Sequence, residues 1–334
     1  MRMPATGRAR GREFPSRLTE RARRLHDSRQ TFMDGVLVID KPAGFTSHDV
    51  VNRVRRILQE RSVGHLGTLD PLATGVLPLV AGRMTRLAQF YTASEKTYEG
   101  AIRFGFATDT YDAEGEPLAA SQAVKVTLEQ LQETAQRFTG RIRQMPPPFS
   151  AKKIHGVPAY KLARKHREVE LQPVEVEIKD FELLQWDGEQ ARFRARVASG
   201  TYMRSVAHEI GQILGCGAHL AALRRTGLGE FAIADAHTLE ELEAAAQQGR
   251  AQDLFVHPRK LLPEMPSVTA NEENIARIRV GRAVNLPELS RARQVKVFQG
   301  QSELISIATR VAGTLFHPKI VLAVEPQTTG SRSR

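Results

Sequence analysis

An α+β fold with a mixed, largely antiparallel sheet is predicted by three features of the chain. The spacing of apolar residues changes repeatedly between helical and extended periods, the neighbouring runs Val174–Leu184 and Ala191–Val197 both alternate with period two, and helical pattern nearly vanishes after Ile278. In chain order, Gly35–Ile39 reads as a short buried strand. Thr46-Ser47 then caps a helix that turns Val50, Val51, Val54, Ile57 and Leu58 inward and leaves Arg53, Arg55 and Arg56 outside. Gly75–Val80 is an apolar strand, Thr85–Tyr91 is helical, and Thr97–Phe106 alternates as a strand. Thr127–Phe138 and Tyr202–Leu214 are amphipathic helices. From about Pro266, the short runs Val284–Leu286, Val295–Phe298, Leu304–Ala308 and Leu315–Val324 predict a small, separate β structure.

At 334 residues and 37.1 kDa the chain can fill one large domain and a smaller one. A net charge of +11 and a pI near 10.1 call for a polyanionic partner. No apolar run reaches membrane length, so nucleic acid is expected rather than lipid. Cys216 is the single cysteine, which excludes an internal disulfide and a cysteine-built zinc site and suits a reducing cytoplasm. The Arg-rich stretch up to about Gln30 lacks an apolar core and reads as a flexible basic arm instead of a secretory signal. The expected organisation is an arm over 1–33, a main domain over 34–264, a β domain over 265–325 and a disordered tail over 326–334.

Pro146-Pro147-Pro148 opens a protruding insertion, about 146–171, that carries Lys152, Lys153, His155, Lys161, Arg164, Lys165, His166 and Arg167. A charge run by itself is often only a solvated face. Here Phe149 and Tyr160 accompany the cations, which suits phosphate contact plus stacking on RNA bases.

The chemistry concentrates at Gly64-His65-Leu66-Gly67-Thr68-Leu69-Asp70-Pro71-Leu72-Ala73-Thr74-Gly75-Val76-Leu77-Pro78. Pro71 biases Asp70 toward extended backbone, while Gly64, Gly67 and Gly75 permit positive φ or the close approach of another segment, so the carboxylate is held by its loop. On these residues alone, an Asp-Pro turn or helix cap is the simpler reading. Gly67–Gly75, preceded by Gly35-Val36-Leu37-Val38-Ile39-Asp40-Lys41-Pro42, resembles the catalytic loop and flanking motif of the TruB-type tRNA pseudouridine synthases.

That resemblance implies a pseudouridine synthase fold with a basic thumb at 146–171 and a PUA-like β-barrel at the C-terminus. It implies catalytic roles for Asp70, Tyr98 (in Glu95-Lys96-Thr97-Tyr98) and Arg204 (in Ser199-Gly200-Thr201-Tyr202-Met203-Arg204-Ser205). Arg204 would pair with Asp70 through a planar fork, and Tyr98 would stack on the target base and help remove its C5 proton. His65 would fill the gap left by the flipped base, and Leu223 would wall the uracil pocket. Tyr202 also belongs to the substrate site. Lys41 would support the active-site loops or reach phosphate, and Arg224-Arg225 would meet phosphates. Lys152, Lys153, Arg164, Lys165 and Arg167 would grip the T-stem and T-loop of tRNA. The implied reaction converts uridine 55 to pseudouridine with no metal or organic cofactor, and help with tRNA folding is compatible with it. No membrane and no obligate protein partner is expected.

Two rivals remain open from sequence: an RNA-binding protein or chaperone in which Asp70 is structural, and a guide-dependent enzyme acting on ribosomal RNA. Other signals fail. Gly227-Leu228-Gly229-Glu230-Phe231-Ala232 fits a relaxed dinucleotide fingerprint but follows no convincing strand. His208 and His219 stand too far apart for one helical turn and lack a third metal ligand. Neither a Walker A sequence nor Gly-x-Ser-x-Gly occurs.

Overall fold

The computed structural model describes residues 33–149, 153–154, 157–158, 171–288 and 290–323. The chain opens on β1 (Gly35–Lys41), α1 (Ser47–Leu58), β2 (Val63–His65), β3 (Thr74–Ala81) and β4 (Lys96–Phe104). It continues through α2 (Leu128–Gln136), β5 (Gly140–Gln144), the two-residue strands β6 (Lys153–Ile154) and β7 (Val157–Pro158), β8 (Val174–Trp186) and β9 (Gln190–Val197). Then come α3 (Met203–Ile213), β10 (Ala218–Leu228), β11 (Phe231–Ala232) and α4 (Leu239–Gln247). The last part holds β12 (Ser267–Thr269), α5 (Glu272–Arg279), β13 (Val284–Asn285), β14 (Gln294–Gln299), β15 (Glu303–Ala312) and β16 (Leu315–Val321).

The main sheet runs β1-β3-β10-β4-β9-β8-β5, with β2 added on β3 and β11 on β10. Every pairing in it is antiparallel except β3 with β10. Alternation explains the outer strands: β9 buries Ala191, Phe193, Ala195 and Val197 and exposes Arg192, Arg194 and Arg196. β1 is buried on both faces, so it reads as an unbroken apolar run. Its edge is covered by the chain after β11, through Val256 N–H to Val36 O and His237 N–H to Val38 O.

β10 is the strand that periodicity misses. It buries His219 and Arg225 among its apolar residues, so its pattern is neither alternating nor wholly apolar. The Gly227–Ala232 stretch is the β10–β11 hairpin; a strand does precede it, contrary to expectation, but a hairpin and not a helix follows. The expected helix at Thr85–Tyr91 is instead a 3-10 helix over Gly82–Phe90.

The C-terminal sheet runs β12-β14-β15-β16-β13 around Val268, Ile275, Ile278, Val295, Val297, Ile305 and Phe316. Its outer strands β12 and β13 do not pair with each other, so the expected barrel is an open half-barrel. Phe298, Leu304, Ile307, Ile320 and Leu322 join Val36, Val38, Val76 and Val80 in one core, which seats this sheet against the main one. The arm before Met33, the tail from 324 and most of the insertion lie outside the described residues; within the insertion β6 and β7 pair as a ribbon.

Candidate active site

The loop between β2 and β3 is held from three sides. At the start of α1, Thr46 forms a capping box with Asp49, which leaves the Ser47 hydroxyl free of capping duty. Ser47 Oγ accepts from Leu69 N–H at 2.8 Å and donates to Leu69 O at 3.0 Å. Pro71 O accepts from Gly44 N–H at 3.0 Å and from Lys41 Nζ at 3.2 Å. Gly75 has φ +97°, and a Cβ there would stand 2.2 Å from the Arg225 carbonyl oxygen; only glycine fits. At Gly64 a Cβ would meet nothing closer than 3.8 Å, so that glycine is not demanded by packing.

Asp70 projects from this loop with its side chain 42% exposed, while Arg204, near the start of α3, is almost wholly buried. Arg204 Nε lies 2.9 Å from Asp70 Oδ2, an ion-pair distance at which its N–H is not aligned on the oxygen. The expected two-bond fork on Asp70 is not formed, because the rest of the guanidinium is used elsewhere. Nη1 faces Asp112 Oδ2 at 3.4 Å and donates to Thr110 O at 3.1 Å, and Nη2 donates to Phe149 O at 2.9 Å. One arginine thus joins Asp70, the turn after β4 and the base of the insertion. Asp112 is buried and also accepts from Thr110 Oγ1 and Glu114 N–H. Asp70 itself stays partly open to solvent.

A cleft of about 550 Å³ opens on one side of the pair, lined by His65, Asp70, Lys96, Tyr98, Tyr202, Arg204 and Leu223 among others. A second cavity of about 660 Å³, lined by Ser47, His65, Asp112, Glu114 and Phe149, shares Asp70 and Arg204 with it. Tyr98 and Leu223 reach the cleft from β4 and β10, which pair directly. Tyr202 caps α3, and its backbone is pinned by fully buried Gln144, which accepts from Tyr202 N–H at 2.8 Å and donates to Tyr202 O at 3.1 Å. Burial, with Arg225 and His48 nearby, pushes His65 below the ordinary imidazole range, so it is neutral at pH 7.

Lys41 has no exposed surface and donates to Pro42 O and Pro71 O; it holds the loop rather than meeting solvent. Burial pushes it down to about 8, against the opposing pull of Asp70. The phosphate role expected for Arg225 does not fit, because Arg225 is fully buried. Arg224 forms a bidentate pair with Asp40, at 2.7 and 3.0 Å, and its side chain stays 41% exposed. Of the insertion residues, Lys152, Arg164, Lys165 and Arg167 lie outside the described residues, and Lys153 falls in β6.

Sequence reasoning missed Asp112, Gln144 and Lys96. Lys96 stands beside Tyr98 in the same motif, lines the cleft, and is pushed down to about 8 by burial and by Arg225. Asp112 sits in an Asp-Thr-Tyr-Asp turn whose polarity resembles any exposed loop. His219 Nδ1 meets Phe106 O at 3.1 Å and His208 stacks on Tyr111, so both histidines have structural partners. No cluster of metal-ligating side chains occurs among the described residues, and none of their helices is long and apolar enough to cross a membrane.

A solved Cbf5–Nop10–Gar1 complex shares the fold at TM-score 0.65 and 26% identity, over 86% of this chain and 85% of that chain. Two descriptions match the sequence itself: TruB family pseudouridylate synthase (N terminal domain) over residues 55–203, and tRNA pseudouridylate synthase B C-terminal domain over 204–264. Among similar proteins, the tRNA pseudouridine synthase B of Solibacter usitatus (strain Ellin6076) is 52% identical over 87% of this chain and 100% of its own length. That of Azoarcus sp. (strain BH72) is 41% identical over 88% and 96%. The chain belongs to the TruB family of pseudouridylate synthases.

Proposed function

We propose that the protein converts uridine to pseudouridine in tRNA, at position 55 of the T-loop. The observation that carries this reading is the meeting of Asp70, Tyr98 and Arg204, from three distant segments, around one cleft open to a flipped base. The reaction is an isomerisation. The N1–C1′ bond breaks, the base turns, a C5–C1′ bond forms, the C5 proton leaves and N1 gains one, so neither a redox partner nor a co-substrate is required. Asp70 either attacks C1′ or takes a ribose proton, and in both cases its charge must be aimed. Arg204 aims it. Because Asp70 is partly exposed in the free protein, the bound nucleotide is what excludes water from it.

His65, neutral and at the cleft edge, is suited to fill the vacated stack, and Leu223 to wall the uracil pocket. The insertion at 146–171 is the RNA clamp, the half-barrel after 265 is a PUA-like RNA-binding domain, and the basic arm adds attraction for the polyanion. Relatives named tRNA pseudouridine synthase B, matched along nearly their full length at up to 52% identity, favour a tRNA enzyme. A pure RNA binder or chaperone does not need Asp70, Tyr98 and Arg204 gathered around one cleft.

Chemical labelling and mass mapping of pseudouridine in tRNA incubated with the purified protein tests the reading. Wild type should modify position 55, and Asp70→Asn should form no product while holding tRNA within a few-fold of wild-type affinity. Full product formation by folded Asp70→Asn would sink the assignment.

A further inference from the structure

Arg225 is the largest fully buried side chain of the described residues, and no carboxylate among them pairs with it. Its guanidinium is satisfied by backbone: Nε donates to Val76 O at 2.7 Å, Nη1 to Thr68 O at 3.3 Å and Nη2 to Gly67 O at 3.0 Å. Those carbonyls bracket Asp70 on both sides. On the sheet, Arg225 stands opposite Gly75 of β3 and opposite Tyr98 of β4, and the Tyr98 phenol interacts with the same guanidinium. A buried cation is a costly way to fill a core, and an apolar side chain of similar volume would do that at least as well.

We propose that Arg225 is a positioning residue for the isomerisation, a single buried guanidinium that sets the Asp70 loop and the Tyr98 hydroxyl in fixed relation across the cleft. The inference rests on the pseudouridine synthase reading above and adds to it a residue that touches neither base nor ribose. A guanidinium only donates, so the phenol can present only its oxygen to it. Burial drives the Tyr98 phenol above its ordinary range and the Arg225 cation opposes that rise. One glycine of the loop motif, Gly75, follows from the same arrangement. Gly75 leaves room for the backbone of Arg225, whereas a Cβ on Gly67 would press on Leu228 Cδ1 at 3.0 Å and meet Nη1 only at an ordinary contact distance of 3.5 Å.

The test compares wild type, Arg225→Lys and Arg225→Met in single-turnover pseudouridine formation at saturating protein, with tRNA affinity and thermal melting measured separately. Arg225→Met should lose on the order of thirtyfold or more in rate with affinity within about threefold, and Arg225→Lys should recover part of the loss. Tyr98→Phe should cost less in the Arg225→Lys background than in wild type, since the two residues act as a unit. Rates within threefold of wild type, an equal loss in affinity and rate, or full additivity with Tyr98→Phe would overturn the proposal. If neither Arg225 variant melts cooperatively, Arg225→Gln, which keeps a donor for the loop carbonyls without the buried charge, decides. It should fold and lose roughly tenfold in rate at unchanged affinity, and a wild-type rate overturns the proposal. A wild-type protein that modifies no tRNA would sink the functional reading and this proposal with it; an active wild type with unaffected variants sinks this proposal alone.

Discussion

Arg204 carries two duties that two substitutions separate. Its Nε faces Asp70 in the cleft, while Nη1 faces Asp112 in a buried site. Arg204→Ala leaves the Asp112 carboxylate buried without its cation, a loss of about 3–5 kcal/mol by analogy with broken buried pairs, and should melt well below wild type. Arg204→Lys keeps one charge but cannot span Asp70, Asp112 and two carbonyls. It should melt near wild type, modify tRNA at least about tenfold more slowly in a single turnover, and bind tRNA normally. Near-normal rates in both variants would show that this arginine does not organise Asp70. Lys41 supplies a pH signature. Its pKa is pushed down to about 8 in the folded protein from 10.5, so between these values the unfolded chain holds a proton that the folded one has released. Its contribution to stability therefore rises with pH across that window, by at most about 3 kcal/mol. Urea unfolding at pH 8, 9 and 10 should give a shallower rise in Lys41→Met than in wild type; parallel curves would contradict the assignment.

At the scale of elements, the helix start and the strand crossing do the work of holding the loop. Thr46 and Asp49 satisfy the first turn of α1 between themselves, so Ser47, one position on, is available to bond Leu69 through both its N–H and its carbonyl. Ser47→Ala removes both bonds in a buried place while leaving the cap intact. It should destabilise the fold by about 1–3 kcal/mol and slow single-turnover modification on the order of tenfold, since small displacements of an aimed group are costly. A variant that loses stability but keeps its full rate would mean that Leu69 does not transmit position to Asp70. β10 is the complementary device. By lying parallel to β3 and antiparallel to β4, it brings the strand that follows the Asp70 loop and the strand of Tyr98 within one strand's width on either side.

Across the whole molecule, charge and shape divide the labour. The net charge of +11 provides long-range attraction for tRNA, whereas the cations nearest the chemistry, Arg204, Arg225 and Lys41, are buried and engaged with protein groups. Affinity and catalysis should therefore fail separately. Neutralising Lys152, Lys153, Arg164, Lys165 and Arg167 together should weaken tRNA binding and reduce the salt slope of its affinity by roughly 0.7–0.9 for each phosphate that is no longer neutralised. The single-turnover rate at saturating protein should survive. An unchanged affinity and slope would remove the insertion from the RNA interface.

Taken alone, the sequence determines strands and helices wherever local rules suffice. The period of β9, the Thr46 cap of α1 and the punctuation of the Asp70 loop are each settled within a few residues, and the motifs around Asp70, Tyr98 and Arg204 mark out the cleft. The tertiary structure alone decided where β10 lies, that Arg204 divides itself between Asp70, Asp112 and Phe149 O, and that Arg225 turns inward to the loop instead of outward to phosphate. The reason is range. A buried cation is tolerated only where carbonyls or carboxylates converge on it, and those of Arg225 come from residues 149 to 158 positions away, beyond the reach of any periodicity or turn rule.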